Sequence, residues 1–456
     1  MSAPVSTFSD FDRRAMARAL ELAERGAETT HPNPRVGCVI ARGERIIAEG
    51  WHERAGGPHA EAAALHGLRA SFSATARPAS RAARGAAAMD APASIESALA
   101  GGDTGATSAD ALNPAAGTTS ADALNPAAGA QALNLADCTA YVNLEPCSHH
   151  GRTPPCADAL VAARIGRVVY AIDDPNPLVA GQGAAKLRAA GVKVESGLLA
   201  AAAEEVNAGF LKWKRTGRPF VRIKMGTSLD GRIALADGKS QWITGEAARN
   251  DVQRWRARSS AVLTGIGSVL ADDPRLNVRL PSAQRQPLRV VLDSELRTPP
   301  TAQILDATAP TLIFACGATA AEAPLAAKGA RIEHVHRSAR DESAAGGAAL
   351  SQRATARDAG EPHAGIGLSL HAVLRRLGEL DVNEVLVEAG PTLSGAFVQF
   401  GLADELLLYM APKLLGPQAR PLFNLPLLED LQHALHFRII EQLLIGDDLR
   451  VRMRPA

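Results

Sequence analysis

The chain has 456 residues, which is enough for two or three domains that each bury a core of their own. Its 49 basic and 48 acidic residues give a formal net charge of +1, which argues against nucleic acid as the main partner. No apolar stretch is long enough to cross a bilayer, and residues 1–12 lack a signal-peptide pattern. Because five cysteines fit a reducing compartment better than a disulfide scaffold, we expect a cytoplasmic protein without a membrane partner.

The N-terminal part predicts a helix, a hairpin and a second helix. Residues 9–12 have the pattern of a capped helix start, and apolar residues recur at helical spacing until Gly26. Two strand-like runs, 36–40 and 45–49, flank a turn and lead into a helix that begins near Glu61.

A low-complexity insertion is expected at 71–137. It is rich in Ala, Gly, Ser and Thr, and it contains an identical eleven-residue block twice, at 107–117 and 119–129. Two copies do not make a solenoid, and this composition buries too little apolar surface to offset the entropy of ordering. We therefore expect a flexible, non-catalytic segment.

After the insertion the fold resumes with alternating strands and helices. Strands are predicted at 139–144, 167–172 and 192–195, with a helix at 183–190 and another at 200–210. This alternation predicts an α/β layer structure with a largely buried sheet. We expect the first domain to occupy 1–206.

A second β/α series follows, and we expect it to form a domain at 216–456. Its strand-like runs are 221–225, 261–264, 288–292, 311–315 and 384–388. A turn is predicted at 226–231, and a variable Ala-rich excursion at about 317–365. A glycine-rich turn at 389–395, followed by a short helix, suits a nucleotide phosphate, although such turns are often ordinary βα connections.

Three separated residues have the composition of a hydrolytic zinc site: His59, Cys147 and Cys156. A structural zinc site is normally closed by four protein ligands, whereas three ligands leave room for a water whose pKa the metal lowers to roughly 7. Glu61 would take a proton from that water and deliver it to a departing amine. The pattern therefore predicts a deaminase site.

Other interpretations of these residues stay open. The three could pack in a core or form half of a structural zinc site, but no fourth Cys or His stands at ligand spacing. We interpret Cys38, Cys138 and Cys316 as buried strand residues. The loop residues His149 and His150 are left outside the ligand set.

Seven motifs resemble the bifunctional deaminase–reductase family of riboflavin biosynthesis. They lie at 31–37, 59–61, 145–156, 224–232, 240–244, 271–274 and 388–393. The resemblance implies a cytidine-deaminase-like zinc domain, a mixed sheet with helices on both faces, followed by a dihydrofolate-reductase-like α/β domain with an antiparallel edge. It implies Zn²⁺ and NADPH as cofactors and phosphorylated pyrimidines as substrates. We also expect a homo-oligomer.

The resemblance implies two successive reactions. The first is hydrolytic deamination of 2,5-diamino-6-(5-phosphoribosylamino)pyrimidin-4(3H)-one, with Asn33 holding the pyrimidine through its amide. The second is NADPH-dependent reduction of the ribosyl chain of 5-amino-6-(5-phosphoribosylamino)uracil to ribityl, with Lys224 and Asp272 as candidate catalytic residues.

The resemblance also assigns residues to the second site. The NADPH site would be lined by Gly226, Trp242, Ser268, Asp272, Ser294, Gly390, Pro391, Thr392, Leu393, Ser394, Gly395 and Ala396. The phosphorylated substrate would contact Ser240, Arg256, Leu276, Arg279 and Glu388. Either arginine could grip the phosphate through two N–H groups.

Three rival functions remain. A nucleic-acid base deaminase would need a basic groove, which the balanced charge disfavours. A binding protein with a degenerate zinc fold would be expected to lack Glu61 or a ligand. A chain with only one active half is the third.

Overall fold

The structure, a computed structural model, describes residues 8–75, 133–149, 154–176, 180–336 and 367–456. The repeated blocks of the first Ala-rich stretch, most of the second stretch and His150 lie outside these residues.

The first half of the chain forms a five-stranded mixed sheet in the order β2-β1-β3-β4-β5. Its strands are β1 (Gly37–Arg42), β2 (Arg45–Trp51), β3 (Cys138–Val142), β4 (Arg167–Tyr170) and β5 (Lys193–Ser196). β1 runs antiparallel to both β2 and β3, and β3, β4 and β5 run parallel.

Helices cover both faces of this sheet, as expected. One face carries α1 (Asp10–Glu24) and α5 (Ala200–Val206), and the other carries α2 (Ala60–Thr75), α3 (Cys156–Ala162) and α4 (Gln182–Ala189). The alternation along β1 explains this, since Val39 packs with the α1 side and Ile40 with the α2 side. The capped start of α1 is confirmed: the Ser9 hydroxyl accepts a hydrogen bond from the Asp12 N–H.

The single helix predicted at 200–210 is wrong. The chain breaks at Asn207 into α5 and α6 (Ala208–Thr216). Asn207 Oδ1 accepts a hydrogen bond from Arg35 N at 2.8 Å, and its Nδ2 donates to Arg35 O at 3.0 Å. The Asn207 amide therefore binds the backbone of Arg35 instead of continuing the helix. α6 leads to the second half of the chain, and its Trp213 indole donates a hydrogen bond to Gly378 O there.

The second half forms a nine-stranded sheet in the order β11-β10-β9-β8-β12-β6-β13-β16-β15. Its strands are β6 (Phe220–Ser228), β8 (Ala261–Gly265), β9 (Leu288–Leu292), β10 (Thr311–Ala315), β11 (Ala330–His334), β12 (Glu384–Val387), β13 (Glu405–Ala411), β15 (Phe437–Ile445) and β16 (Asp448–Pro455). A separate two-stranded ribbon pairs β7 (Arg232–Ala234) with β14 (Arg420–Pro421). In the sheet order, the first seven strands, from β11 through β13, run parallel. β16 runs antiparallel to β13, and β15 runs antiparallel to β16, so these two form the expected antiparallel edge.

Helices also lie on both faces of this larger sheet. They are α7 (Glu246–Arg258), α8 (Ile266–Asp272), α9 (Glu322–Ala326), α10 (Leu370–Glu379) and α11 (Pro391–Gln399). Val385 and Val387 of β12 pack with α10 and α11, whereas Leu386 packs with α7 and α8. The carboxyl ends of the central parallel strands therefore open at one edge between two helical layers.

Several predicted boundaries move. β6 continues to Ser228, so the turn predicted at 226–231 is shorter. The glycine-rich stretch at 389–395 is mostly helix, because Gly390 is an extended N-cap and Pro391 can begin a helix without its missing N–H. The excursion predicted at 317–365 contains α9 and β11, and the insertion predicted at 71–137 overlaps the end of α2.

Buried residues explain why described structure lies inside both predicted excursions, including the last residues of the insertion predicted at 71–137. Leu325 and Ala330 pack in the second core, and Leu133 and Leu135 pack in the first. Cys38 and Cys138 are buried in strands as expected, but Cys316 follows β10 and is half-buried, so that prediction is wrong.

Candidate active sites

Three side chains from separate segments meet beside the first sheet. His59 immediately precedes α2, Cys156 is the first residue of α3, and Cys147 lies in the loop after β3. His59 Nδ1 lies 3.5 Å from Cys147 Sγ and 3.3 Å from Cys156 Sγ. Their ligand atoms all lie within 4.8 Å of one another, and within the described ranges no further His, Cys, Asp or Glu joins the group.

The donors have the chemistry that zinc requires. A hydrogen bond from Cys156, together with others from His59 and the Cys156 backbone N–H, lowers the pKa of Cys147 to about 4. The hydrogen bond with Cys147 raises the pKa of Cys156, and burial raises it further. A dication at this point favours the thiolate of both residues, so one imidazole and two sulfurs fit a zinc ion with a position left open.

Glu61 lies in the first turn of α2, two residues after His59. Its side chain is buried, with only 3 % of the residue exposed, and burial raises its pKa. A carboxyl group with a raised pKa exchanges a proton near neutrality more readily than an ordinary glutamate. The position therefore suits proton transfer beside the three ligands.

Asn33 is linked to the ligand segment through His52. His52 Nδ1 lies 2.9 Å from Pro58 O, which can only accept, so this ring nitrogen donates. The other ring nitrogen, Nε2, then accepts from Asn33 Nδ2 at 3.1 Å. Because burial lowers the pKa of His52, the ring is neutral and keeps this arrangement. Within the ranges that the structure describes, His52 is the hydrogen-bond partner of the Asn33 side chain, so its oxygen and second N–H can contact a ligand.

The loop that carries Cys147 is anchored by a residue that sequence reasoning missed. The Glu145 carboxylate accepts hydrogen bonds from Gly181 N at 2.9 Å and Ala184 N at 3.0 Å, at the start of α4. Gly183 completes the contact, since a Cβ there would lie 1.8 Å from Pro146 O. The sequence signal was weak, because 36 residues separate Glu145 from Gly181.

A cavity of about 570 Å³ opens at the carboxyl ends of β6, β8, β9 and β12 in the second sheet. Thirteen predicted site residues lie on its wall: Lys224, Gly226, Ser240, Arg256, Ser268, Asp272, Leu276, Ser294, Glu388, Gly390, Pro391, Thr392 and Leu393. An adjoining cavity of about 490 Å³ shares Lys224 and Glu388 and adds Trp242 and Arg279.

Three residues predicted for the NADPH site are not on either wall. Ser394 is fully buried and its hydroxyl lies 3.4 Å from Met225 Sδ. Gly395 packs on the Asn424 backbone, where a Cβ would lie 2.3 Å from the carbonyl oxygen, and Ala396 belongs to the core. Because α11 begins at Pro391, these residues form its second turn and face inward.

Glu388 lies on the walls of both cavities and forms ion pairs with Arg256 and Lys224. Its carboxylate accepts from Arg256 Nε at 2.5 Å and Nη2 at 3.0 Å, and Lys224 Nζ lies 3.1 Å away. Although burial alone would raise it, Arg256 and Lys224 hold the pKa of Glu388 well below its usual range. The carboxylate is therefore a fixed negative charge.

This pairing changes the expectation for Arg256. Its guanidinium contacts Glu388 through Nε and Nη2 and donates to Asn277 O through Nη1, so three of its five N–H groups are engaged and two are left for a phosphate. Arg279 is exposed on the cavity wall and donates to Asn277 Oδ1.

Trp242 stands at the mouth of the smaller cavity with 63 % of its surface exposed. The Arg249 guanidinium lies 4.4 Å from the centre of its ring, and Lys413 Nζ donates to Trp242 O at 3.0 Å. Sequence reasoning did not single out either cation, because only the fold brings them to this tryptophan.

Comparison with known proteins places both halves in one family. Residues 219–449 match the family model of the RibD C-terminal domain, and residues 9–78 and 108–172 match that of the cytidine and deoxycytidylate deaminase zinc-binding region. The riboflavin biosynthesis protein RibD of Escherichia coli strain K12 is 40 % identical over 457 residues, covering 98 % of this chain and 100 % of that protein.

The chain belongs to the RibD family.

Solved RibD structures agree with the fold. Acinetobacter baumannii RibD (form 1) superposes with a TM-score of 0.72 at 38 % identity, covering 98 % of this chain and 99 % of that one. A Thermotoga maritima protein, described as a diaminohydroxyphosphoribosylaminopyrimidine deaminase/5-amino-6-(5-phosphoribosylamino)uracil reductase, gives 0.71 at 27 % identity, covering 98 % and 99 %. The predicted pairing of a cytidine-deaminase-like zinc domain with a dihydrofolate-reductase-like domain is confirmed. None of the helices in the described ranges combines the length and apolar character that a membrane crossing needs.

Proposed function

We propose that this RibD chain carries out two successive steps of riboflavin biosynthesis. It deaminates 2,5-diamino-6-(5-phosphoribosylamino)pyrimidin-4(3H)-one by hydrolysis, and it then reduces the ribosyl chain of 5-amino-6-(5-phosphoribosylamino)uracil with NADPH. The observation that carries the proposal is the three-ligand set of His59, Cys147 and Cys156 beside the buried Glu61, in one chain with the cavities around Glu388.

In the deaminase half, His59, Cys147 and Cys156 would hold a zinc ion, which when bound would supply an acidified water as the nucleophile. Glu61 takes the proton of that nucleophile and passes it to the exocyclic nitrogen as ammonia departs. Asn33 orients the pyrimidine, since its amide can both accept from and donate to the ring edge. The neutral His52 keeps that amide in place.

In the reductase half, NADPH when bound would supply a hydride to C1′ of the sugar, where the bond from C1′ to the ring oxygen breaks and that oxygen takes a proton from water. The first turn of α11, from Gly390 to Leu393, presents backbone N–H groups to its phosphates, and Ser268, Asp272 and Ser294 lie on the same wall. Lys224 directs a positive charge at the reacting region, while Glu388 and Arg256 fix its position. Asp272 adds electrostatic help from the end of α8.

Arg279 is the better candidate for the substrate phosphate. Arg256 is buried and already pairs with Glu388, whereas Arg279 is exposed on the wall of the smaller cavity. A guanidinium in this position can contact two phosphate oxygens at once. Ser240 and Leu276 flank the substrate on the larger cavity.

We assign the zinc domain to 1–206 and the reductase domain to 216–456, with α6 joining them. A reducing, cytoplasmic location keeps Cys147 and Cys156 available as thiolates. The partners are small phosphorylated pyrimidines, without nucleic acid or membrane, in keeping with the balanced charge.

We assign the reductase edge to a homo-oligomer contact. β15 is the last strand of the nine-stranded sheet, and apolar side chains project from it and from the preceding loop: Leu427, Leu428, Leu431, Ile439, Leu443 and Leu444. Leu427 and Leu431 are 90 % and 87 % exposed. Such a cluster beside an open strand edge is typical of an association surface, and a second copy offers the same edge.

A charged residue in this cluster tests the contact. Leu444→Asp should convert the oligomer into a monomer in light scattering, while Glu429→Gln, a nearby polar change, should leave its mass unchanged. A monomeric unmodified chain at micromolar concentration would contradict the assignment.

The function itself is tested with the purified chain, the diaminopyrimidinone substrate and NADPH. Ammonia release reports the first step and NADPH oxidation the second. Supplying the deaminated intermediate directly separates the two, so a chain with one active half would be recognised by the step it lacks. Release of ammonia from cytosine in DNA instead would favour the nucleic-acid deaminase.

A further inference from the structure

The segment at 31–35 lies between the two halves of the protein and contacts both of them. Its first residues contact the ends of β8 and β12 in the reductase sheet, and Asn33 turns toward His52 in the deaminase half. The residue proposed to hold the pyrimidine therefore belongs to a turn that the other catalytic half supports.

The contacts on the reductase side are close and numerous. His31 Nδ1 lies 2.6 Å from Asn383 Oδ1 and 3.0 Å from Ser260 Oγ, and Nε2 lies 2.5 Å from Arg258 O. Asn383 Nδ2 donates to Pro32 O at 3.1 Å. The carbonyl that Asn383 holds is directly followed in the chain by Asn33.

Asn383 is itself held in place. It is 2 % exposed, and its Oδ1 accepts a hydrogen bond from the Ser260 hydroxyl at 2.6 Å. The next residue, Glu384, forms a buried ion pair with Arg35 at 2.7 Å, which clamps the other end of the segment. Ser260 and Asn383 thus offer a rigid surface to the turn.

On the deaminase side the same turn continues to the metal ligands. Asn33 Nδ2 donates to His52 Nε2, and His52 Nδ1 donates to Pro58 O, one residue before His59. A chain of hydrogen bonds therefore runs from Asn383 through Pro32 and Asn33 to the segment that carries the zinc ligand. The amide of Asn33 is fixed from both sides.

We propose that Asn383, assisted by Ser260, is a positioning residue for deamination: the reductase half completes the pyrimidine pocket of the deaminase half by holding the turn that carries Asn33. This inference rests on the proposed function. The interface contact and the substrate contact lie on neighbouring residues, so a shift of the Pro32 carbonyl moves the Asn33 amide with it. A misplaced amide weakens substrate binding more than it changes the chemistry.

The test measures both activities of the full-length chain with Asn383→Ala. We expect the KM for deamination to rise about tenfold, on the scale of one lost hydrogen bond, while kcat changes less than about twofold. Zinc content and NADPH oxidation with the deaminated intermediate should stay unchanged, because Asn383 contacts neither site. Ser260→Ala, a milder change, should raise the same KM by a few-fold.

Glu205→Gln is the matched control. Glu205 forms ion pairs with Arg452 and Arg454 of β16, so this variant loosens a contact between the halves without touching the 31–35 segment. Its deaminase KM should equal that of the unmodified chain. An equal rise in Glu205→Gln, or equal losses of both activities in Asn383→Ala, would overturn the proposal.

A double-mutant cycle shows whether Asn383 acts through Asn33. If it does, Asn33→Ala combined with Asn383→Ala loses no more deaminase kcat/KM than Asn33→Ala alone. Independent, multiplying losses would contradict the proposal. If the unmodified chain releases no ammonia from the pyrimidine, the proposed function fails instead, and the two failures are distinguishable.

Discussion

Glu61 and Glu388 are both largely buried carboxyl groups, one beside the three candidate zinc ligands and one on the walls of the two reductase cavities, yet the protein shifts their pKa values in opposite directions. Burial raises the pKa of Glu61, and the neighbouring Cys147 adds to the rise, while His59 opposes it. At Glu388 burial acts the same way, but Arg256 and Lys224 outweigh it and lower the pKa. The difference separates a carboxyl group that can exchange a proton from one that holds charge permanently.

We propose that the two halves use buried glutamate for different purposes. A hydrolytic deaminase must collect a proton and release it again within one turnover, which requires both forms of the carboxyl group to be accessible. Hydride transfer to a sugar needs a preorganised charge distribution that does not change during the reaction. Lys224 is held at 3.1 Å by Glu388, and its charge is thus fixed on the cavity wall.

Glu61→Gln should give the largest effect. Glutamine keeps the size and polarity of the side chain but cannot carry the proton, so ammonia release should fall by about 10²–10⁴-fold. Zinc content should persist because His59, Cys147 and Cys156 are unchanged. NADPH oxidation with the deaminated intermediate serves as the internal control, and full ammonia release would remove Glu61 from its role.

The deaminase site was predictable because its residues lie at segment ends that the sequence marks. Prolines precede His59 and Cys156, each at a helix start, and the ligand chemistry of histidine and cysteine is recognisable without a fold. What supports them was not predictable. Glu145 meets the start of α4, and His31 meets Asn383 across 352 residues, so only the folded chain brings these partners together.

For the candidate reductase site, the local sequence pattern predicted less than it did for the candidate deaminase site. Its residues come from separate strands and loops, and the family resemblance rather than local pattern named them. Resemblance found thirteen wall residues of the larger cavity but not the ion pair between Arg256 and Glu388, nor the early start of α11 that turns Ser394 inward. Both outcomes depend on side-chain partners and helix phase, which a motif does not contain.

Glu388→Gln should have the next largest effect, and on both stability and activity. It leaves Arg256 and Lys224 without their buried anion, a loss of about 3–5 kcal/mol in unfolding free energy for a broken buried pair. NADPH oxidation should fall with it, because Lys224 is released from its position. Denaturant unfolding and the two activity assays measure these effects on one preparation.

Glu246→Gln is the control for that experiment, since Glu246 lines the smaller cavity but is exposed. It should change stability by less than about 0.5 kcal/mol. Should Glu388→Gln prove as stable and active as Glu246→Gln, the fixed-charge role of Glu388 would be wrong.

His31 is a buried base, in contrast to the two buried acids, and its titration should have the smallest of the predicted effects. Burial, together with Arg35 and Arg285, lowers its pKa to about 4, although Glu384 and the hydrogen bond to Arg258 O oppose the shift. In the unfolded chain the imidazole has a pKa near 6.5, so between pH 6.5 and 4 the unfolded state binds more protons than the folded state. The contribution of His31 to stability is therefore present at neutral pH and is lost as the pH falls through this window.

His31→Gln removes this titration while keeping polar atoms at the interface. The melting temperature of the unmodified chain should fall by a few degrees more than that of His31→Gln between pH 7 and pH 5. Loss of zinc or protonation of other groups affects both proteins alike and cancels in the difference. Equal falls would mean that His31 gains a proton without cost in the folded protein. In that case Glu384 and the hydrogen bond to Arg258 O, which both favour the protonated ring, outweigh burial and the arginines, as Arg256 and Lys224 outweigh burial at Glu388.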